Sequence, residues 1–212
     1  MPEDYDVLVI GGGATGGGAA FDLALRGLRV ALIERHDLTD GTSGRYHGLL
    51  HSGGRYAVRD PESARECIEE NRILRRIVPH AIEDTGGFFI TTPQDDPEFA
   101  DKWLAACRAC GIEAEELPVA QLLSEEPHLN PKTSRAFRVP DASCDSFDVL
   151  TALGAAVVAH GGTVLTYHEV VDLHVDAGRV TGATVRNKRT GDVRRLAAPM
   201  VINAAGAWAG QI

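Results

Sequence analysis

The sequence predicts an α/β protein: a parallel sheet flanked by helices, carrying a β-meander and interrupted by an inserted domain. Three observations lead there. The apolar run Asp6-Val-Leu-Val-Ile10 enters Gly11-Gly-Gly13-Ala-Thr-Gly16 directly. A second apolar run, Leu28-Arg-Val-Ala-Leu-Ile33, ends on Glu34. A late run, Met200-Val-Ile-Asn203, meets the small residues Ala204-Ala-Gly206-Ala and returns the chain to the same sheet. Short unbroken apolar runs mark buried parallel strands, and the order strand, glycine turn, helix, strand, acid is that of a Rossmann-like FAD/NAD(P)-binding fold.

In the G-x-G-x-x-G turn, Gly11 permits the tight bend, Gly13 removes a Cβ that would block a pyrophosphate, and Gly16 lets the helix pack close. The helix runs over about 14–26 and stops at Gly27. Ala14 and Thr15 open it, so its unpaired N–H groups face an anion. Glu34 then lies where a carboxylate accepts hydrogen bonds from ribose hydroxyls. An ordinary nicotinamide dehydrogenase would continue with further βα units. Here the chain instead enters Gly41-Thr-Ser-Gly-Arg-Tyr-His-Gly-Leu-Leu-His-Ser-Gly-Gly-Arg-Tyr56. Its glycines allow close backbone approach to a flat ligand. Thr42 and Ser43 offer hydroxyls to phosphate or ribityl oxygens, and the N–H groups near Gly48 and Leu49 suit an isoalloxazine edge.

Asp60 and Pro61 start a helix over 61–78, with Ala64, Cys67, Ile68, Leu74, Ile77 and Val78 on its apolar face. A strand at 87–92 precedes a helix at 97–110, opened by Asp96-Pro97 and closed by Gly111. Pro118, Pro127 and Pro131 mark an irregular connection. Arg135–Val139 reads as a strand, 147–160 as a helix, and 163–166, 170–175, 179–187 and 192–196 as strands. Turns at Ala177-Gly178 and Thr190-Gly191 make the last three a meander. The expected organisation is a first dinucleotide-binding segment at 1–86, an inserted, partial substrate domain at 87–145, and a second binding segment at 146–212.

The 212 residues include 44% hydrophobic ones, enough for a substantial core. The net charge of -9 argues against a nucleic-acid partner, which would select clustered Lys and Arg. No run of 18 apolar residues is present, and the acidic N-terminus enters the first strand directly, so a cytoplasmic protein without a secretory signal is expected. Cys107-Arg-Ala-Cys110 places both thiols on one helix face beside Phe99, Trp103 and Leu104. With no second pair or histidine pair to complete a zinc site, buried core cysteines and no metal are expected.

The glycine turn with Glu34-Arg35-His-Asp37, the Thr42-Ser43 to Arg55-Tyr56 segment, and Val201-Ile-Asn-Ala-Ala-Gly-Ala-Trp208 together resemble the FAD-dependent glycerol-3-phosphate dehydrogenases, within the D-amino-acid-oxidase-like FAD enzymes. His47-Gly-Leu-Leu-His-Ser-Gly-Gly-Arg-Tyr-Ala57 and Glu62-Ser-Ala-Arg-Glu-Cys-Ile68 bring it nearest to the catalytic A subunits of the anaerobic type. The likeness spans the chain and matches the N-terminal part of a longer enzyme. It implies oxidation of sn-glycerol 3-phosphate to dihydroxyacetone phosphate with hydride transfer to FAD. Electrons then pass to a quinone or to partner electron-transfer subunits, with peripheral association at the inner face of the cell membrane.

By position, the resemblance implies that Gly11, Gly13, Ala14, Thr15, Gly16, Glu34 and Arg35 bind the ADP portion and Thr42 and Ser43 the pyrophosphate side. Gly48 and Leu49 would lie along the isoalloxazine, Val170 would present its backbone to adenine, and Ala205 and Gly206 would close over the cofactor. Arg55, with Tyr56 beside it, matches the substrate-side arginine, whose fork suits a phosphate. His51 is the candidate catalytic base, since imidazole titrates in the useful range. Two other readings stay open: a related flavoenzyme acting on an amine or 2-hydroxy acid, and a FAD-binding module that needs a further chain.

Overall fold

The computed structural model describes residues 3–212. They form two compact units, one built from the residues up to His47 together with Asp145–Ile212, the other from Gly48–Cys144.

In the first unit, four parallel strands lie in the order Thr163–Leu165, Val30–Ile33, Val7–Ile10, Met200–Asn203. Val7–Ile10 and Val30–Ile33 are buried at every position, which is why they read as continuous apolar runs without alternation. The helices Ala14–Leu25 and Ser146–Ala159 pack together, and their approach runs through Gly17, where a Cβ would overlap the Leu150 side chain. Asp145 caps the second helix by accepting the N–H groups of Phe147 and Asp148 at 2.8 and 3.2 Å.

The meander joins His168–Asp176, Arg179–Asn187 and Val193–Ala197 antiparallel. Ala177 and Gly178 both have positive φ, 46° and 77°, the two-residue turn whose twist matches a hairpin. Ala183, Val185 and Leu196 bury against Leu8, Ala31 and Ile33. Meander and parallel sheet therefore share one core.

The second unit holds two three-stranded sheets. One orders Leu49–Leu50, Ala142–Cys144, Ile82–Glu83, and the other Gly87–Thr91, Arg135–Val139, Glu115–Leu117. Its core gathers Ala64, Ile68, Trp103, Cys107 and Phe137, with Phe89 stacked on Trp103 at 4.7 Å between ring centroids. The helix Pro61–Ile77 contributes Ala64 and Ile68 to this core. The unit accordingly starts at Gly48, where the sequence reading began the inserted domain at 87. The chain carries no composition shift at 48, and the partner of an amphipathic helix is invisible in its own periodicity.

Two further differences have local causes. The helix expected from Pro97 is Phe99–Ala109, because the Asp96 carboxylate accepts the Glu98 N–H at 2.9 Å and closes a turn ahead of it. The connection read as irregular contains the strand Glu115–Leu117 and the helix Val119–Glu125. Pro118 precedes that helix, where a missing N–H costs nothing. Among the described residues no helix is long and apolar enough to cross a membrane.

Phe137 is 1% exposed and packs against Trp103 at 5.2 Å. Phe137→Ala should therefore destabilise the protein by about 3–5 kcal/mol, read as a lower urea midpoint. An unchanged midpoint would show that this ring is not central to the core.

Candidate functional site

A cavity of about 800 Å³ opens in the first unit, the size of a cofactor site. It is lined by the glycine turn, by Glu34 and Arg35 at the end of the second strand, by residues 40–43, by residues 168–170 of the meander and by residues 204–208. Every lining residue belongs to this unit.

The glycines work by close approach. Gly11 has φ of 110°, a conformation that disfavours side chains, and a Cβ at Gly16 would overlap the Gly11 carbonyl oxygen. The helix Ala14–Leu25 thus begins against the turn itself. It has no side-chain cap of its own and no acidic residue in its first turn, which leaves its positive end available to an anion. The Ala14 N–H donates to Ser43 Oγ at 2.8 Å, and Ser43 is the group a Cβ at Gly13 would meet, at 3.0 Å. The Ser43 carbonyl accepts from Ser146 Oγ at 2.8 Å, so the Thr42–Gly44 turn is tied to the start of the helix Ser146–Ala159.

Glu34 lies at the cavity with each carboxylate oxygen accepting a backbone N–H: Gly12 to Oε2 at 2.7 Å and His36 to Oε1 at 2.8 Å. Each oxygen keeps a second lone pair for a hydroxyl donor. The adjoining Arg35 guanidinium stacks on Trp208, 4.7 Å from the ring centroid. Gly41 sits beside the same ring, where a Cβ would fall 3.3 Å from Cζ3. Val170 precedes a register shift between Val170 and Asp172. Such a bulge turns backbone groups out of the ladder, here at the cavity.

Gly11, Gly13, Ala14, Thr15, Glu34, Arg35, Thr42, Ser43, Val170, Ala205 and Gly206 all line this cavity; Gly16 packs against the turn instead. The sequence reading missed Arg45, His168 and Trp208 as lining residues. Arg45 donates Nη1 to the carbonyls of Asp40 and Gly41. A Trp directly after Ala-Ala-Gly-Ala was the available signal.

Gly48, Leu49, His51, Arg55 and Tyr56 belong to the second unit. Gly48 has positive φ and its carbonyl accepts the Cys144 N–H at 2.8 Å, while Leu49 pairs with Ser143. His51 Nδ1 lies 2.9 Å from Asp141 Oδ2, and the Ser52 N–H donates to Asp141 Oδ1 at 2.7 Å. Asp141 is 90 positions away in sequence, and nothing local marks it. Arg55 and Tyr56 are exposed, and the Arg55 guanidinium has no ion-pair or hydrogen-bond partner among the described residues. The backbone beneath them is pinned: the Gly54 carbonyl accepts Trp103 Nε1–H at 2.8 Å, and Tyr56 N–H donates to Gly53 O at 2.9 Å.

Cys107 and Cys110 are buried in the core. Burial, with the neighbouring Cys110 sulfur, pushes the Cys107 thiol up to about 11, so it stays protonated and inert at neutral pH.

Because both Glu34 oxygens accept N–H groups, an amide there would confront one of them with its own NH2. Glu34→Gln should weaken FAD binding by about 1–3 kcal/mol, the cost of losing a charge-assisted acceptor, measured by flavin fluorescence titration. An unchanged dissociation constant would remove Glu34 from the site.

Comparison with known proteins agrees with this geometry. Residues 6–212 match the family model DAO, FAD dependent oxidoreductase. The chain is 49% identical, over its whole length, to the A1 subunit of the anaerobic glycerol-3-phosphate dehydrogenase of Haloferax volcanii. It is 51% identical, over 97% of its length, to the A subunit of the anaerobic glycerol-3-phosphate dehydrogenase of Escherichia coli K12. It spans 38% of the length of each. Among solved structures, glycerol-3-phosphate dehydrogenase from Bacillus halodurans complexed with FAD superposes with a TM-score of 0.71 at 26% identity, covering 97% of this chain and 35% of that one. The chain belongs to the FAD-dependent oxidoreductase family, whose cofactor is FAD.

Proposed function

We propose that this protein oxidises sn-glycerol 3-phosphate to dihydroxyacetone phosphate with FAD as the immediate electron acceptor. The observation that carries the reading is the 49–51% identity to relatives named for glycerol-3-phosphate dehydrogenation, which extends through both the cavity and the His51–Tyr56 segment. Those relatives are named as single subunits of their enzymes, which supports partner electron-transfer subunits here. A quinone as final acceptor would bring the protein, otherwise cytoplasmic, to the inner face of the cell membrane as a peripheral protein.

The cavity fits an adenine dinucleotide on its own chemistry: a helix N-terminus without a competing acid, two hydroxyls, a carboxylate and a bulged backbone converge on one space. In this reading Gly13, Ala14, Thr15 and Gly16 present the helix N-terminus to the pyrophosphate, with Thr42 and with Ser43, whose Oγ accepts the Ala14 N–H. Glu34 takes the ribose hydroxyls, Arg35 flanks them, and Val170 offers its backbone to adenine. Gly11 shapes the turn, while Ala205 and Gly206 close the opposite side. Gly48 and Leu49 supply backbone N–H groups for the isoalloxazine. FAD, when bound, supplies a hydride acceptor for the carbinol hydrogen.

The chain's own residues then hold the substrate and move its proton. Arg55 offers a fork of parallel N–H donors to the phosphate, with Tyr56 at its side. Its lack of an ion pair among the described residues supports this role, because a guanidinium already paired would gain less from a phosphate. Loss of hydride from C2 leaves the hydroxyl proton to be removed, and His51 accepts it.

Stopped-flow reduction of bound flavin by glycerol 3-phosphate, compared with a 2-hydroxy acid and a D-amino acid, tests the substrate class. Glycerol 3-phosphate should reduce the flavin fastest; a faster competitor would overturn the reading. Arg55→Lys keeps the charge but loses the fork, so it should raise KM for glycerol 3-phosphate by about tenfold, the worth of roughly one charge-assisted hydrogen bond. Unaltered kinetics would place the phosphate site elsewhere.

A further inference from the structure

The geometry points to Asp141 as a positioning residue that holds the His51 imidazole with its proton on Nδ1, so that Nε2 is the nitrogen that accepts a proton. This rests on the reading of His51 as the base. The strands Leu49–Leu50 and Ala142–Cys144 pair antiparallel with Leu50 opposite Ala142. The next step of that register sets His51 against Asp141. There, Asp141 Oδ2 lies 2.9 Å from His51 Nδ1 while Oδ1 accepts the Ser52 N–H at 2.7 Å. An ionised carboxylate only accepts, so in the neutral imidazole the Nδ1 atom must be the donor.

The carboxylate is enclosed, and the backbone that carries the pair is held in place. The Asp141 side chain is 12% exposed, and a Cβ at Gly87 would press on its Cβ at 2.8 Å. Asn71, 1% exposed, directs its amide at the Leu50, His51 and Pro140 carbonyls at 3.4, 3.3 and 3.2 Å. Arg75 donates Nε to Asn71 Oδ1 at 2.7 Å and Nη2 to Pro140 O at 3.1 Å. The helix Pro61–Ile77 thereby fixes both strand ends that carry the pair. The His51 side chain is 44% exposed while its Asp141 partner is 12% exposed, so the ring is held from its buried side and its other edge faces outward.

The two-sided use of Asp141 makes the role testable. An asparagine has one acceptor oxygen. The Ser52 N–H cannot become an acceptor, so the oxygen stays with Ser52 and the amide NH2 turns to Nδ1. Asp141→Asn should then move the imidazole proton to Nε2.

Long-range proton–nitrogen spectra of the histidine-labelled chain at about pH 8.5, above the ordinary imidazole range, read this directly, with His51→Gln identifying the signal. Wild type should show the Nδ1–H tautomer and Asp141→Asn the Nε2–H form. An Nε2–H wild type, or a variant with an unmoved proton, would overturn the proposal; the wild-type spectrum decides even if the variant does not fold. In the FAD-loaded protein, Asp141→Asn should lower kcat about 10²- to 10⁴-fold, the usual worth of a correctly oriented general base, with little change in KM. Wild-type kcat in Asp141→Asn beside an inactive His51→Gln would overturn the positioning role. Full activity in His51→Gln would instead remove the base reading, leaving the tautomer result to stand on the spectra.

Discussion

The cavity depends on one backbone contact, the approach of Gly16 to the carbonyl oxygen of Gly11. No side chain fits between them, so the first helical turn is pressed onto the chain as it leaves the strand, and the helix's unpaired N–H groups are delivered to one point. Gly11 in turn leaves no room for a side chain against the backbone of Ala204, where a Cβ would fall 2.5 Å from the carbonyl oxygen, so the returning strand is drawn into the same contact. Glycines pay for this in conformational entropy. The loss is offset by the two fully buried strands and the core they share with the meander.

Much of this was legible because it is written locally. Gly11, Gly13 and Gly16 are spaced by a turn and a helix start, Glu34 follows a second apolar run, and the Ala177-Gly178 turn sets the meander's first hairpin. The limits of Arg135–Val139 follow directly from its pattern. The rest is written nowhere along the chain. Asp141 acquires its meaning only when antiparallel register sets it against His51, and Trp208 only when it meets the guanidinium of Arg35. Ala142–Cys144 and Ile82–Glu83 are too short to show a period. Glu115–Leu117 was hidden by its acids, one of which pairs with Arg135 at 2.7 Å on an edge where charge is tolerated.

The glycine-rich run from Gly41 to Tyr56 shows how the same composition serves opposite ends. Such a stretch reads as flexible, yet Gly53 has φ of 89° and lies against the Ala64 carbonyl, while Gly54 offers its own carbonyl to the buried Trp103. Absent side chains here let a backbone segment settle onto a helix and an indole. The outcome is a fixed ledge that holds Arg55 and Tyr56 toward solvent at little packing cost.

The parallel sheet has an implication for biosynthesis. Its strand Met200–Asn203 lies directly beside Val7–Ile10, and residues from both of these distant stretches line the cavity. Nearly two hundred intervening residues must therefore be made before the two can meet, a closure that is entropically slow and of high contact order. During vectorial synthesis the glycine turn emerges first and waits, with its helix end unscreened, for its other wall. The motif that first announces the site is thus one wall of a container whose other wall, Ala204 to Trp208, comes from a stretch made far later in the chain.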